Sequence, residues 1–135
     1  MAGQARAGIT VENLSCRYRE EYIFSGLGFS VKKARVTGII GPNGSGKTTL
    51  LRCLVKLLPL ETGRVFLGEE DLANLSVREI AARVGVVPQR WEGNFAFTVG
   101  DLVLMGRFPH ISRFQRESAG DYEVARRAME ITGLR

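Results

Sequence analysis

Residues 38–51, GIIGPNGSGKTTLL, are the part of the sequence that decides the fold. A short apolar run ends at Gly41, and three glycines follow within six residues, Gly41 included. The preceding residues 35–40, RVTGII, are largely apolar and β-branched, which predicts a buried strand. Residues 47–58, KTTLLRCLVKLL, carry leucines at helical spacing. The stretch therefore predicts a strand, a glycine loop and a helix in succession.

The loop meets the pattern GxxxxGK(S/T) at Gly41, Gly46, Lys47 and Thr48. Glycines let backbone N–H groups wrap closely around a polyphosphate, and the start of the following helix adds a positive dipole end. Lys47 would reach the β- and γ-phosphates, and the Thr48 hydroxyl would bind Mg²⁺. Two alternatives are a glycine-rich turn with a surface lysine and a GxGxxG dinucleotide loop, whose spacing these glycines do not fit.

The remaining elements are predicted from alternation, helical spacing and capping residues. They are antiparallel strands at 9–18 and 24–31, a strand at 64–68 before the acidic turn 69–71, a short helix from the N-cap Ser76 to Arg83, a buried strand at 84–89, and helices from Thr98 to Met105 and from Ser118 to Ile131. The pattern predicts an α/β protein.

Composition narrows the classes of function. The 135 residues are 44% hydrophobic with a formal net charge of +5, and the basic residues are scattered, which argues against a nucleic-acid-binding arm. Cys16 and Cys53 are predicted to be buried, reduced thiols, and His110, the one histidine, cannot complete a metal site. Because no secretory signal or membrane span is found, we expect a cytosolic protein or one peripheral to a membrane.

A family resemblance is carried by Gly41–Leu51, GPNGSGKTTLL, which resembles the Walker A motif of ABC-transporter ATPases. In the family's order, Tyr18 matches the aromatic residue that stacks on adenine, residues 62–65 match the strand after the Walker A helix, and Gln89 matches the Q-loop glutamine. The resemblance implies that ATP and Mg²⁺ are bound by Tyr18, Gly41, Pro42, Asn43, Gly44, Ser45, Gly46, Lys47, Thr48, Thr49 and Gln89, with Thr48 and Gln89 on the metal. The alternatives are a packing role for Tyr18 and an ordinary strand-end polar residue at Gln89.

A narrower resemblance lies in residues 97–110, FTVGDLVLMGRFPH, followed by GDYEVARRAM at 120–129. It resembles importers of iron–siderophore, haem and cobalamin complexes. The resemblance implies a groove for the membrane subunit, whose candidate residues could equally form core: Trp91, Phe95, Phe97, Leu102 and Met105. One departure is Ala34-Arg35, where the family usually has Gly-Glu, so a position with positive φ is expected to be strained.

The chain ends before the family's signature motif, Walker B strand, catalytic glutamate and switch histidine. The resemblance thus predicts a P-loop NTPase (ABC ATPase) core with an N-terminal antiparallel β-subdomain and the start of a helical subdomain, the C-terminal half missing. The predicted parts are 9–40 (β-subdomain and Walker A strand), 41–89 (Walker A to Q-loop) and 90–135 (partial helical subdomain). We expect unpaired strand edges, and nucleotide binding without turnover.

These features predict the ATP-binding subunit of an ABC importer for iron chelates, haem or cobalamin. The expected partners are membrane permease subunits and a second ATPase subunit in a homodimer, at the inner face of the cell membrane and without nucleic acid. Two alternatives stay open: a naturally short, non-catalytic nucleotide-binding module, and a soluble ATPase of the superfamily that has no part in transport.

Overall fold

The computed structural model of the protein describes residues 8–89, 96–112 and 114–134. The chain divides into two compact units, the first ending at Val84 and the second beginning at Gly85. The first unit contains β1 Ile9–Tyr18, β2 Glu21–Val31, α1 Lys47–Cys53, β3 Thr62–Leu67, β4 Glu70–Asp71, a 3₁₀ turn Leu72–Asn74 and α2 Val77–Ala81. The second contains α3 Val99–Met105, a 3₁₀ turn Phe108–His110 and α4 Ala119–Ile131. The predicted α/β fold is confirmed, and its division at residues 40 and 89 stays a prediction.

The first unit is built on an antiparallel sheet with the strand order β2-β1-β3-β4. β1 and β2 pair from Ile9 opposite Val31 to Tyr18 opposite Glu21, so a two-residue turn joins them. This is the predicted antiparallel pair. Its alternating apolar residues turn one face toward a core, as the period of a half-exposed strand requires.

Helix α1 packs on this sheet. Its residues Leu50 and Cys53, with Leu54 just beyond its end, are buried with Leu14 and Val65 of the strands. The helix is shorter than predicted, because it ends at Cys53 rather than continuing to residue 58. Lys56 has a left-handed backbone conformation, with φ of +59°, which takes the chain out of the helical path.

The two cysteines lie together in this core. Both are buried and unbridged, as predicted. Burial raises the pKa of the Cys53 thiol to about 12, helped by its hydrogen bond with the Cys16 thiol. A thiol with so little tendency to ionise is a poor nucleophile, so the pair behaves as packing rather than as reactive chemistry.

Two predicted strands are absent, and these predictions were wrong. Neither 35–40 nor 84–89 forms a strand in the described part of the chain. Most of their apolar side chains are exposed, with Val36, Ile40 and Val87 at least 95% accessible, whereas Val84 is partly buried against the core. A buried strand needs neighbours that satisfy its backbone groups and cover its side chains. The four strands of the described sheet pair only with one another and supply no such neighbours for these residues.

The predicted strain before residue 35 has a structural counterpart. Ala34 has φ of +54°, in the left-handed region that favours glycine. The turn therefore needs the conformation that glycine adopts without cost, although alanine occupies the position.

The described part of the second unit contains two α-helices that begin with the same kind of capping arrangement. Thr98 caps α3 and Ser118 caps α4, each accepting from the backbone N–H three residues on and each completing a capping box with an aspartate. Both helices were predicted with these residues at their starts. The capping signal is local in sequence, which explains why it predicts helix starts well.

Candidate nucleotide-binding site

The glycine loop is exposed from Gly41 to Ser45 and leads into α1. Gly44 and Gly46 have φ of +82° and +85°, a conformation that L side chains rarely adopt. At Gly46 a side chain would also be obstructed, since a Cβ there would stand 2.6 Å from Cγ2 of Ile23. The loop therefore requires glycine at position 44 for its backbone, and at position 46 for its backbone and for space.

The contact beneath Gly46 ties the loop to the β1–β2 hairpin. Ile23 and Phe24 of β2 are the side chains closest to that position. Phe24 is paired with Cys16, and Tyr18 follows Cys16 by two residues, or roughly 7 Å along a strand. The loop and Tyr18 thus lie toward the same end of the hairpin, within one compact unit.

Lys47 is half-buried at the start of α1 and already faces the loop. Its Nζ donates to the carbonyl oxygen of Gly41 at 2.8 Å and to that of Pro42 at 2.7 Å. The backbone N–H of Ser45 donates to the same Pro42 oxygen at 3.3 Å, which closes the turn. The ammonium is therefore held over the loop, where an anion drawn by the loop's N–H groups would meet it.

The hydroxyl residues follow directly. Thr48 is exposed and Thr49 is half-buried, both in the first turn of α1, and Asn43 is exposed in the loop. A hydroxyl oxygen is a hard donor of the kind that Mg²⁺ accepts, so Thr48 suits the predicted metal role. The roles of these residues stay predictions.

Tyr18 is 68% exposed at the end of β1. Its ring has a cation beside it, because the Cζ of Arg19 lies 5.6 Å from the ring centroid. So large an exposed fraction argues against the alternative of a packing residue and leaves ring surface open to a ligand.

Gln89 is exposed and belongs to the second unit, whereas the glycine loop belongs to the first. Its predicted contact with Mg²⁺ stays a prediction. Of the candidate docking residues, Trp91 and Phe95 lie outside the described residues. Phe97 is 42% exposed, and the other two, Leu102 and Met105, are half-buried on α3.

An ion pair that the sequence reasoning missed joins the two motifs of the second unit. Nε of Arg107 lies 3.0 Å from Oδ1 of Asp121, and the two side chains are 25% and 13% exposed. Hydrogen bonds from Ser118 and the Arg107 guanidinium lower the pKa of Asp121 to about 2. The sequence does show a basic residue, Arg107, in the run 105–110 and an acidic residue, Asp121, at the third position of α4. Their spacing along the chain, however, does not predict that they pair.

A cavity of about 800 Å³ in the first unit has the wrong charge for a phosphate. Among the residues that line it, Glu70 pairs with Arg83 and Asp71 with Arg64, while Glu79 completes the capping box of α2. Its carboxylates repel a polyphosphate and serve internal contacts. Among the described residues, no group of three or more histidine, cysteine, aspartate and glutamate side chains is placed to hold a metal ion. None of the described helices is long and apolar enough to cross a membrane.

Comparisons with known proteins agree with the family resemblance carried by the glycine loop. A family model described as ABC transporter matches residues 24–134. The chain is 40% identical over 124 residues to an uncharacterized ABC transporter ATP-binding protein of Methanocaldococcus jannaschii, covering 92% of this chain and 45% of that protein. It is 36% identical over 123 residues to the ferric enterobactin transport ATP-binding protein FepC of Escherichia coli, covering 91% and 45%.

A solved structure shows the same fold. It is an inward-facing transporter assigned to the metal-chelate type of ABC transporter, with a TM-score of 0.75 and 33% identity, covering 94% of this chain and 46% of that one. The chain thus spans about half the length of the curated relatives it matches. Because the family model covers most of the chain and the loop carries the matching residues, the chain belongs to the ABC transporter family.

Proposed function

We propose that this chain binds ATP with Mg²⁺ and forms part of the energy-coupling subunit of an importer for iron chelates, haem or cobalamin. One observation carries the nucleotide part: the Lys47 ammonium is held at the carbonyls of Gly41 and Pro42, above a loop whose Gly44 and Gly46 have left-handed backbones. This arrangement places a positive charge beside the glycine loop at the start of α1, which suits a polyphosphate.

Each residue has a defined task in this proposal. The loop from Gly41 to Gly46, with Lys47 and Thr49, holds the phosphates, and the aromatic ring of Tyr18 stacks on adenine. Thr48 and Gln89 supply oxygen atoms to Mg²⁺, whose charge offsets that of the phosphates when the ion is bound. We expect binding without turnover by this chain, because its 135 residues contain no apolar run ending in Asp-Glu to provide the remaining acidic groups.

The transport part of the proposal rests on likeness. The Escherichia coli relative is named for ferric enterobactin transport, and the similar structure is of the metal-chelate type. The resemblance to such importers lies in residues 97–110, which include the run from Met105 to His110, and in residues 120–129. The partners proposed are membrane permease subunits and a second ATPase subunit, with the protein on the cytoplasmic face of the membrane.

The nucleotide-binding proposal is tested by Lys47→Ala, with Lys32→Ala as the matched control. Lys32 is exposed in the same unit outside the loop, so both variants remove one positive charge from this unit. Loss of a charge-assisted contact should weaken ATP–Mg²⁺ binding at least about tenfold in Lys47→Ala, while Lys32→Ala should stay within about twofold. Isothermal titration calorimetry measures both, and equal affinities in two folded variants would remove the phosphate-loop assignment.

Tyr18→Ala tests the base-binding task separately. Loss of one stacked base contact should weaken ATP about fivefold or more and leave inorganic tripolyphosphate unchanged. An equal loss for both ligands would contradict the stacking role, because tripolyphosphate has no base.

A further inference from the structure

Arg19 has an uncommon backbone conformation in the turn next to Tyr18. The turn consists of Arg19 and Glu20, since Tyr18 pairs with Glu21. Of these two residues only Arg19 has a positive φ, +57°. Two-residue hairpins with positive φ at the first position normally carry glycine there, because an L side chain is disfavoured. A strained backbone at a non-glycine residue is a reason to ask which function its side chain has.

The Arg19 side chain lies beside the ring of Tyr18. Its Cζ is 5.6 Å from the ring centroid, within the range of a cation–π contact. Across residues 8–89, 96–112 and 114–134, the guanidinium of Arg19 makes no other ion pair or hydrogen bond. Its donors are therefore available to a ligand.

A second arginine in the same hairpin provides the contrast. Arg17 has its Cζ 5.8 Å from the ring centroid of Tyr22, almost the same separation. Arg17 is also ion-paired with Glu61, at 3.0 Å between Nη2 and Oε1. Both arginines thus lie beside a tyrosine ring at a similar distance. Of the two, only Arg19 has a guanidinium without an ion pair in the described residues, and only the ring beside it, that of Tyr18, belongs to the proposed base site.

We propose that Arg19 is a nucleobase-binding residue that forms the second wall of the nucleobase site, opposite the ring of Tyr18. The proposal rests on the proposed nucleotide-binding function. A flat base between two planes needs contacts of about 3.5–4 Å on each side, or roughly 7–8 Å in all, so the guanidinium must move outward by about 2 Å. An exposed arginine can make this movement by changing rotamer. Its cationic plane then attracts the face of the base.

This arrangement makes Arg19 act on the base and not on the phosphates. Its removal should weaken binding of ATP and leave binding of ribose 5′-triphosphate, which lacks the base, unchanged. A cation–π contact at an exposed site corresponds to a change of about two- to fivefold in affinity.

The experiment compares Arg19→Gln and Arg19→Gly with Arg17→Gln as the matched control, by calorimetric titration of the full chain. Arg19→Gly keeps the experiment decisive if folding is disturbed, since glycine suits the positive φ and should raise the melting temperature while still removing the guanidinium. Both Arg19 variants should lose about two- to fivefold in ATP affinity, whereas Arg17→Gln should not.

Three results would overturn the proposal. Unchanged ATP affinity in both Arg19 variants would show that the base does not touch the guanidinium. Tighter ATP binding would show that Arg19 merely covers the ring, and an equal loss for ATP and ribose 5′-triphosphate would place it at the phosphates. The proposed function itself would be overturned if the unaltered chain failed to bind ATP, or if Lys47→Ala bound ATP with unchanged affinity. The proposed role of Arg19 would then fail with it.

Discussion

Replacement of Gly63 by alanine should be among the more damaging single substitutions in the first unit. Gly63 lies in β3 with φ of +93°, opposite a bulge in β1 where pairing shifts between Glu12 and Ser15. A Cβ at this position would clash with the carbonyl oxygen of Asn13 and would stand 2.6 Å from that of Glu12. These are backbone atoms, so no side chain can turn away to make room.

Gly68 is the matched control, because it isolates the steric part of this effect. It follows β3, also has a positive φ, +65°, and a Cβ added there would have no neighbouring atom within 4 Å. The left-handed conformation costs alanine about 1–2 kcal/mol, partly offset by about 0.4–1 kcal/mol from the reduced entropy of the unfolded chain. Gly68→Ala should therefore lose roughly 1 kcal/mol, and the displaced backbone adds about 1–3 kcal/mol for Gly63→Ala.

Urea unfolding followed by circular dichroism measures the difference. With a slope of about 2 kcal/mol per molar urea, Gly63→Ala should unfold at a urea concentration roughly 0.5–1.5 M below that of Gly68→Ala. If the free energies of unfolding of the two variants agree within about 0.5 kcal/mol, the reasoning fails, because the close approach of β1 to position 63 would then have no energetic consequence.

Three further predictions concern other positions. Ala34→Gly should stabilise the protein by about 0.5–1 kcal/mol in urea unfolding by relieving a φ of +54°, and a loss of stability would contradict the strain. Asp121 has its pKa lowered from 3.8 to about 2, so its stabilisation of the folded state is complete above pH 4 and is lost as the pH falls toward 2. Carbon NMR of the carboxyl group should find a higher pKa in Arg107→Gln, and an unchanged value would exclude Arg107 as a cause. Cys53, with a pKa raised to about 12, should resist thiol reagents at pH 8 until urea unfolds the chain, whereas rapid labelling of the native protein would refute its burial.

The sequence predicted best where the signal was local. Ser76 was predicted as an N-cap, and the structure confirms its capping box with Glu79. The helices predicted from Thr98 and from Ser118 also begin at these residues, and the structure shows a capping box at each. The glycine loop was also predicted from local signals, because the left-handed backbone at Gly44 and Gly46 depends on those residues and their neighbours along the chain. Fold class and the identity of the loop therefore followed from the sequence.

The length of α1 and the two absent strands were predicted less well. Residues 35–40 and 84–89 have the composition of buried strands, but composition cannot supply a neighbouring strand. In the described chain residues 35–40 and 85–89 are exposed, and Val84 is only partly buried. The helix after the loop was predicted through residue 58 from leucine spacing alone. The left-handed conformation of Lys56, whose Nζ donates to the carbonyl oxygens of Leu72, Ala73 and Leu75 at 2.8–3.1 Å, is a tertiary effect.

By itself, the sequence determined an α/β chain with a glycine loop, a helix behind it and capped helices beyond, because each depends on residues close together along the chain. Only the tertiary structure decided that Arg107 pairs with Asp121, that Ile23 lies against Gly46, and that Gly63 faces the β1 backbone. These contacts join residues between 14 and 51 positions apart, and no local pattern selects one such partner over another. The physical reason is that burial and close approach depend on which surfaces meet when the chain packs.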